Sequence, residues 1–349
     1  MAETKHKKAD IVTVAKSARV SPSTVSRYFN HPELLKSSTR KKIDSAVRRT
    51  GYIRNRAAQT IHGIRSGTIG VLVPTLDHAI FAEVVQAFSD TVAAQGFTIL
   101  LASHGYDLQR EYAILRKFLE HRVDGVVLTG LEHDDAVFQL LDSQEIPCVF
   151  MWNYGENSYY PSIGADNEMA GRMIAEHVLS LGHKKIACMF PPTKGNDRAR
   201  ARRDIVLDTL LAAGVAVPKD WALQTVYSIS ASKSDVMQLF AKPDQPTALI
   251  CGNDILATGA LYAARAIGLH VPNDLSIVGI GDFKGSSEIE PALTTVRLPA
   301  RRIGQEAGNA LTAAIVGTAE QNRQSLHCQP ELIIRGSSAN ANERLASRR

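Results

Sequence analysis

The 349-residue chain contains no apolar run approaching the roughly 20 residues that a bilayer-spanning helix needs, so it is not expected to cross a membrane. Its first residues, MAETKHKKAD, are basic and polar with no apolar stretch behind them. That is unlike a secretory signal and leaves the cytoplasm as the expected compartment. Only four cysteines occur, none in CxxC spacing. Cys148, Cys188 and Cys251 sit in the strand-like runs IPCVF, KIACMF and ALICG and read as buried thiols rather than metal or disulfide partners, while Cys328 stands alone. No GxxxxGK[ST] phosphate loop is present, and GIGDFKG has the wrong glycine spacing for a dinucleotide turn. The run LEHDD reads as a solvated acidic loop, and no nucleophile is set beside a base. The chain is therefore read as a non-enzyme without cofactor or metal. The polar tail SSANANERLASRR has one leucine and no heptad repeat, which argues against a helical tetramer.

What is present is an ordinary globular composition, 44% hydrophobic and 21% charged, long enough for two or three domains. The net charge of +5 is unevenly placed. Residues 1–65 hold fifteen Lys and Arg against four Asp and Glu, a net of +11, which leaves −6 for the remainder. Such a division implies two parts with different partners, the first of them a polyanion.

Ile11, Val14, Ala15 and Ala18 share one face at helical spacing and predict a helix over about 11–18. Ser21 followed by Pro22 supplies an N-cap and a first-turn proline for a second helix running to about Asn30. Val25 and Phe29, one turn apart, should pack on the first helix, leaving Ser23, Thr24 and Arg27 on the free face. A third helix over about 38–49 turns Ile43, Ala46 and Val47 inward. Two short helices separated by about three residues, the second basic and hydroxyl-rich outside, form a helix-turn-helix whose second helix enters the major groove of double-stranded DNA. Arg27 suits guanine O6 and N7, Ser23 and Thr24 reach base edges or phosphate, and Ser26 and Asn30 suit phosphate oxygens.

After Gly51 comes YIRNRAAQTIHG, too short for a helix that stands alone in water. It is a candidate for folding on DNA, with Asn55, Arg56, Ala58 and Ile61 as candidate contacts. Ile61 suits either a wedge at a minor-groove step or packing on the next domain.

From Thr68 on, strand-like runs alternate with amphipathic helices: TIGVLVP, FTILLAS, DGVVLTG and IPCVFMW, then from near Asp166 a second series with KKIACMF, TALICGN and LSIVGIG. This is a parallel α/β signature, duplicated into two lobes. The late strand TTVRL, a helix over 300–316 and the strand ELIIRG should return across them. Ligands of such sheets sit beyond the carboxyl ends of the strands, here between the lobes. Candidate cleft residues therefore follow the strand ends: Asp77 and Phe81, Trp152, the stretch with Asn196, Asp197, Arg198, Arg200 and Arg202, then Asn253, Gly281 and Asp282. Phe81 and Trp152 are also open to a plain core role, and Arg202 to a solvated helix start.

The runs VAKSARVSPSTVSRYFN, Thr39 with Arg40, and GYIRNRAAQTI resemble the head and hinge of lactose-repressor (LacI/GalR) family regulators, and the rest of the chain matches as well. The resemblance implies a homodimer on a near-palindromic operator, with Pro22, Ser23 and Arg27 on bases and Ile61 prising open the central step. It also implies an all-α helix-turn-helix head joined to a two-lobed, parallel α/β, periplasmic-binding-protein-like sensor domain, with Phe81, Trp152, Arg202 and Asn253 at effector-contacting positions. The domain limits expected are 1–52 for the head, 53–66 for hinge and linker, 67–337 for the sensing and dimerising body, and 338–349 for the tail. Three departures stand out. Arg19 takes the place of a turn glycine, Arg54 that of a proline and Ile61 that of a leucine. Where sugar sensors of the family carry carboxylates, this chain has Trp152 and Gly281, and GIGDF resembles gluconate-type members. Acids lost beside retained arginines favour an anionic effector, a sugar acid or another carboxylate.

Overall fold

A computed structural model describes residues 8–54, 65–317 and 324–341 of the chain. The chain divides into two units, Met1–Ser66 and Gly67–Arg349. The hinge candidates Asn55, Arg56, Ala58 and Ile61 lie outside the described residues.

In the first unit, capping chemistry sets the helix limits. Asp10 accepts from the Thr13 amide at 2.7 Å and starts α1, Ile11–Ala18. Ser21 Oγ accepts from the Thr24 amide at 3.1 Å and starts α2, Pro22–Asn30. Each takes one amide that the first turn leaves without a helical acceptor. α3, Ser37–Thr50, ends at Gly51 with φ 62°, a left-handed cap that glycine adopts without strain. Val14, Ala15, Ala18, Val25, Ile43 and Ala46 form the small core. This is the apolar face anticipated from spacing, except that Ile11, Phe29 and Val47 are only partly buried against it.

The second unit contains two six-stranded sheets. The first is built from β1 (Thr68–Val73), β2 (Thr98–Ser103), β3 (Gly125–Thr129), β4 (Cys148–Asn153), β5 (Ser162–Ala165) and a late two-residue strand, Leu326–His327, next to β5. Its pairings are all parallel. Helices α4 (Ala79–Ala94), α5 (Leu108–Glu120) and α6 (Asp135–Ser143) follow β1, β2 and β3. The chain then passes into the second lobe through α7 (Asn167–Ser180), β6 (Ile186–Phe190), α8 (Asp197–Ala212), β7 (Ala222–Gln224), α9 (Ile229–Phe240), β8 (Ala248–Cys251), α10 (Asp254–Ala266), β9 (Ser276–Gly281) and β10 (Thr294–Arg297). α11, Ala300–Val316, returns to pack on α4 of the first lobe, where a Cβ at Gly304 would lie 2.3 Å from the Val84 carbonyl. The last strand, Glu331–Ile333, rejoins the second sheet antiparallel to β10.

β5 does not figure in the strand series read from sequence. Its four residues, SIGA, are all buried, so no alternation marks them. Both faces of each sheet are covered, and β1, β3 and β4 are buried almost throughout, as parallel strands with helices on both sides must be. All four cysteines are buried free thiols, including Cys328.

Candidate functional site

On α2 the free face carries Ser23, Arg27 and Asn30, all exposed, with Thr24 and Ser26 half-buried. Ser21 Oγ lies 2.8 Å from Ser23 Oγ and 2.7 Å from Thr24 Oγ1, so the three hydroxyls share one cluster at the helix start. Pro22 occupies the first turn, as the sequence implies. Asn30 is engaged within the head: its Nδ2 reaches Ser26 Oγ at 3.4 Å and its Oδ1 accepts from Arg54. The Tyr28 hydroxyl donates to Asp44 of α3, and burial, followed by that carboxylate, pushes its pKa up to about 12. The α2–α3 angle is thereby pinned behind the exposed face. Arg19 adopts φ 55° and ψ 49°, the left-handed conformation that the departure from glycine implies.

In the second unit, the ends of β1, β2, β4, β6, β7, β8 and β9 converge on a narrow, closely packed cavity. Its walls are mainly rings. Phe81 meets Trp152 at 5.5 Å between centroids, His78 meets Tyr227 at 4.7 Å, and Tyr106 lies 6.0 Å from Tyr227. Ile80, Phe283 and Leu298 complete the apolar lining, and Arg198, Arg202 and Asn253 supply the polar groups. Trp152 carries φ 89°, rare for a bulky residue and a sign that its neighbours hold the ring where it is.

The two arginines differ. Arg198 NH1 is paired with Asp197 at 2.9 Å and lies 3.4 Å from the Thr129 carbonyl, while its NH2 is buried without a hydrogen-bond partner. Arg202 is 5% exposed, and its Nε donates to the Arg198 carbonyl at 3.2 Å. Among the described residues no carboxylate forms an ion pair with it, and burial lowers its pKa from the ordinary arginine value. A buried guanidinium left so is costly until an anion reaches it.

Of the other residues expected in the cleft, Asn253 lines the cavity while its Oδ1 caps α10 through the Leu256 amide. Asn196 stands one step behind, capping α8 and donating to the Tyr227 hydroxyl at 3.3 Å. Asp77 is exposed and lines no part of the cavity; its neighbour His78 does. Asp282 is turned away as well, held at 2.7 Å by both Arg297 and Arg335. Gly281 does more than remove a carboxylate: a Cβ there would lie 2.1 Å from Phe283 Cε1, so the glycine makes room for that ring. The rings missed from sequence, Tyr106, Tyr227 and Phe283, all follow strands, so the strand-end rule that picked out Trp152 could have reached them.

Asp197 stands behind this cavity, paired with Arg198. Its carboxylate accepts from the Leu131 amide and Asn153 Nδ2 of the first lobe, each at 2.8 Å, bridging the two lobes. Beyond it lies a wider, open cleft lined by Glu132, Asp166, Glu168, Arg200, Asp204 and Asp208 among others. Its acids outnumber its bases, and it lacks the ring stack of the narrower cavity.

Comparison with known proteins agrees with both halves of this description. Residues 10–55 match the model for bacterial regulatory proteins of the lacI family, and residues 175–338 match the periplasmic binding protein-like domain. The HTH-type transcriptional repressor PurR of Erwinia tasmaniensis is 31% identical over 95% of this chain and 97% of its own. The crystal structure of a lac repressor dimer bound to operator and an anti-inducer superposes with a TM-score of 0.83, at 26% identity, over 95% of this chain and all of that one. That of the transcription regulator GntR from Chromobacterium violaceum does so with a TM-score of 0.73, at 31% identity, over 78% of this chain and 99% of that one. Among the described residues no helix is long and apolar enough to cross a membrane, and these relatives are transcriptional regulators rather than enzymes. The chain belongs to the lacI family of bacterial regulatory proteins, DNA-binding transcriptional repressors controlled by small-molecule effectors.

Proposed function

We propose that this repressor answers to a small anionic effector, a sugar acid or another carboxylate, bound in the ring-lined cavity between the lobes. Arg202 carries the reading: a guanidinium 5% exposed, with no carboxylate in ion-pair contact among the described residues, beside the unpartnered NH2 of Arg198. Two converging guanidinium groups match the paired oxygens of a carboxylate, and the surrounding rings match the apolar faces of a short carbon chain or sugar. In the repressed state the chain works as a homodimer on a near-palindromic operator; the lac repressor is a dimer in its operator-bound structure. Pro22, Ser23 and Arg27 contact bases, Thr24 a base edge or phosphate, and Ser26 and Asn30 phosphate, while Ile61 prises open the central step and Asn55, Arg56 and Ala58 add further DNA contacts. Effector binding shifts the lobes about the Asp197 bridge, and a coupling of about 1–3 kcal/mol to the operator suffices for control.

The test is calorimetry on the full chain with sugar acids, other carboxylates and their neutral parent sugars, repeated on Arg202→Met. Carboxylates should bind the wild type. The substitution should weaken them about ten- to hundredfold, given about 1.5–3 kcal/mol for a charge-assisted hydrogen bond. It should also raise the melting temperature of the unliganded protein by roughly a few degrees, because an unpaired buried charge is gone. A structural arginine would do the reverse, and tight binding of a neutral sugar with none of any carboxylate would refute the proposal.

A further inference from the structure

We infer that Arg54 is a positioning residue that clamps the start of the hinge to the end of the DNA-reading helix, so that the two DNA-contacting elements of each head are set in a fixed relation. α2 ends at Asn30, leaving carbonyl oxygens without helical donors at a terminus that carries partial negative charge. Arg54 fills this end. Its NH1 donates to the Phe29 carbonyl at 3.2 Å, its NH2 donates to Asn30 Oδ1, and its guanidinium stands 5.5 Å from the centre of the Phe29 ring. Tyr52 packs on the same ring at 5.9 Å. The chain leaving α3 at Gly51 is therefore led back across α2 and fastened there, one residue before the segment at 55–64. A bidentate fork over an aromatic face fixes direction as well as distance, which a lysine cannot do.

The consequence concerns geometry rather than charge. A reading helix in the major groove and a hinge in the minor groove are two contacts joined by a short tether, and fixing the tether raises the effective concentration of the second contact once the first is made. The same rigidity penalises an operator whose half-sites are wrongly spaced. An arginine that merely touched phosphate would add affinity equally on every sequence and spacing.

The inference rests on the hinge reading of residues 53–66, and the experiment separates the two. Operators are selected from random duplex DNA by the full wild-type chain, then remade with one base pair inserted or removed at the centre. Binding is compared at fixed salt for wild type, Arg54→Ala, Arg54→Lys, Asn30→Ala, the Arg54→Ala/Asn30→Ala pair and Ile61→Gly, with circular dichroism confirming helical content. Arg54→Ala should lose about tenfold on the selected operator and much less on the altered spacings, narrowing the wild type's discrimination. Arg54→Lys should behave like Arg54→Ala, and the double variant should lose no more spacing discrimination than Arg54→Ala alone, since a phosphate contact of Asn30 would weaken all the DNAs alike. Equal losses on all DNAs, restoration by lysine, or unchanged spacing discrimination would each overturn the clamp. If Ile61→Gly leaves specific binding intact, the hinge reading fails; if Ile61→Gly weakens it while Arg54→Ala leaves spacing discrimination unchanged, only the clamp fails.

Discussion

Arg19 holds a left-handed backbone between α1 and α2, and its amide closes the helix end on the Lys16 carbonyl at 3.3 Å. A residue with a Cβ loses about 1 kcal/mol in that conformation relative to glycine. Arg19→Gly should therefore stabilise the head by about this amount, a large share for so small a core. Both tryptophans lie in the second unit, so indole fluorescence is blind to the change. Hydrogen exchange of the α1 and α2 amides reads it, and protection should rise about fivefold. The same variant removes one positive charge and should flatten the salt dependence of nonspecific DNA binding by about one unit of log–log slope if Arg19 lies against a phosphate. Greater protection with an unchanged slope would show that arginine stands there without touching DNA.

At the scale of elements, the ends of β9 and α10 show how a loop is held to shape the cavity. Asp254, fully buried at the start of α10, accepts from the Phe283 amide at 3.0 Å, Ser286 Oγ at 2.7 Å and Thr295 Oγ1 at 2.6 Å. These bonds fasten the loop after Gly281 and present the Phe283 ring to the cavity. Burial still pushes the Asp254 pKa upward, ahead of the lowering effect of its three donors. Gly281→Asp, which places a carboxylate where sugar sensors of the family have one, should force the Phe283 ring out and cost about 1–3 kcal/mol through overpacking. In urea melts followed by tryptophan fluorescence, Phe283→Ala should cost less in the Gly281→Asp background than in the wild type, since the clash is then relieved. Additive losses would mean that the ring and the new side chain do not compete.

These elements also show what the sequence makes legible. The head could be read closely because its signals are local: Ser21 and Pro22 announce the start of α2 without knowledge of the rest of the fold, and the apolar spacing marks α1 and α3. The strands β1, β3, β4, β6, β8 and β9 were legible as apolar runs. β5 was not, because four fully buried residues have neither length nor alternation to mark them. Of the residues following strand ends, Phe81, Trp152, Arg198, Arg202 and Asn253 line the cavity, whereas Asp77 and Asp282 do not. Asp77 stays exposed on its turn, and Arg297 with Arg335 draws Asp282 away, a pairing that sequence does not announce.

For the molecule as a whole, the buried histidines set how stability follows pH. His78, His104 and His177 are each held below the usual histidine pKa, with burial the leading cause in all three. At His104, 2% exposed, Glu111 pulls the value upward while Arg198 and His133 add to the lowering, and burial prevails. A depressed histidine is neutral in the folded state where the unfolded chain is already protonated. The unfolded state then binds more protons, so unfolding free energy falls as pH drops through the unfolded histidine value of about 6.5 and continues falling until the folded groups titrate. The carboxylates with lowered values, Asp142 and Asp220, titrate below this window, and Asp254, raised by burial, works in the opposite direction as a single group against three histidines. The urea midpoint of the second unit, followed by tryptophan fluorescence, should therefore decline from pH 7 to pH 5. His104→Leu, close in volume and without a titrating group, should reduce the slope and leave the variant relatively more stable at pH 5 than at pH 7. A slope unchanged by that substitution would show that His104 titrates alike in both states, and the acid sensitivity would then belong to His78 and His177. Of these two, His78 lines the ring-walled cavity, so an anion bound there should raise its pKa and bind more tightly as pH falls toward 6. His177, remote from the cavity beside Ser338, should leave effector binding unchanged over the same range.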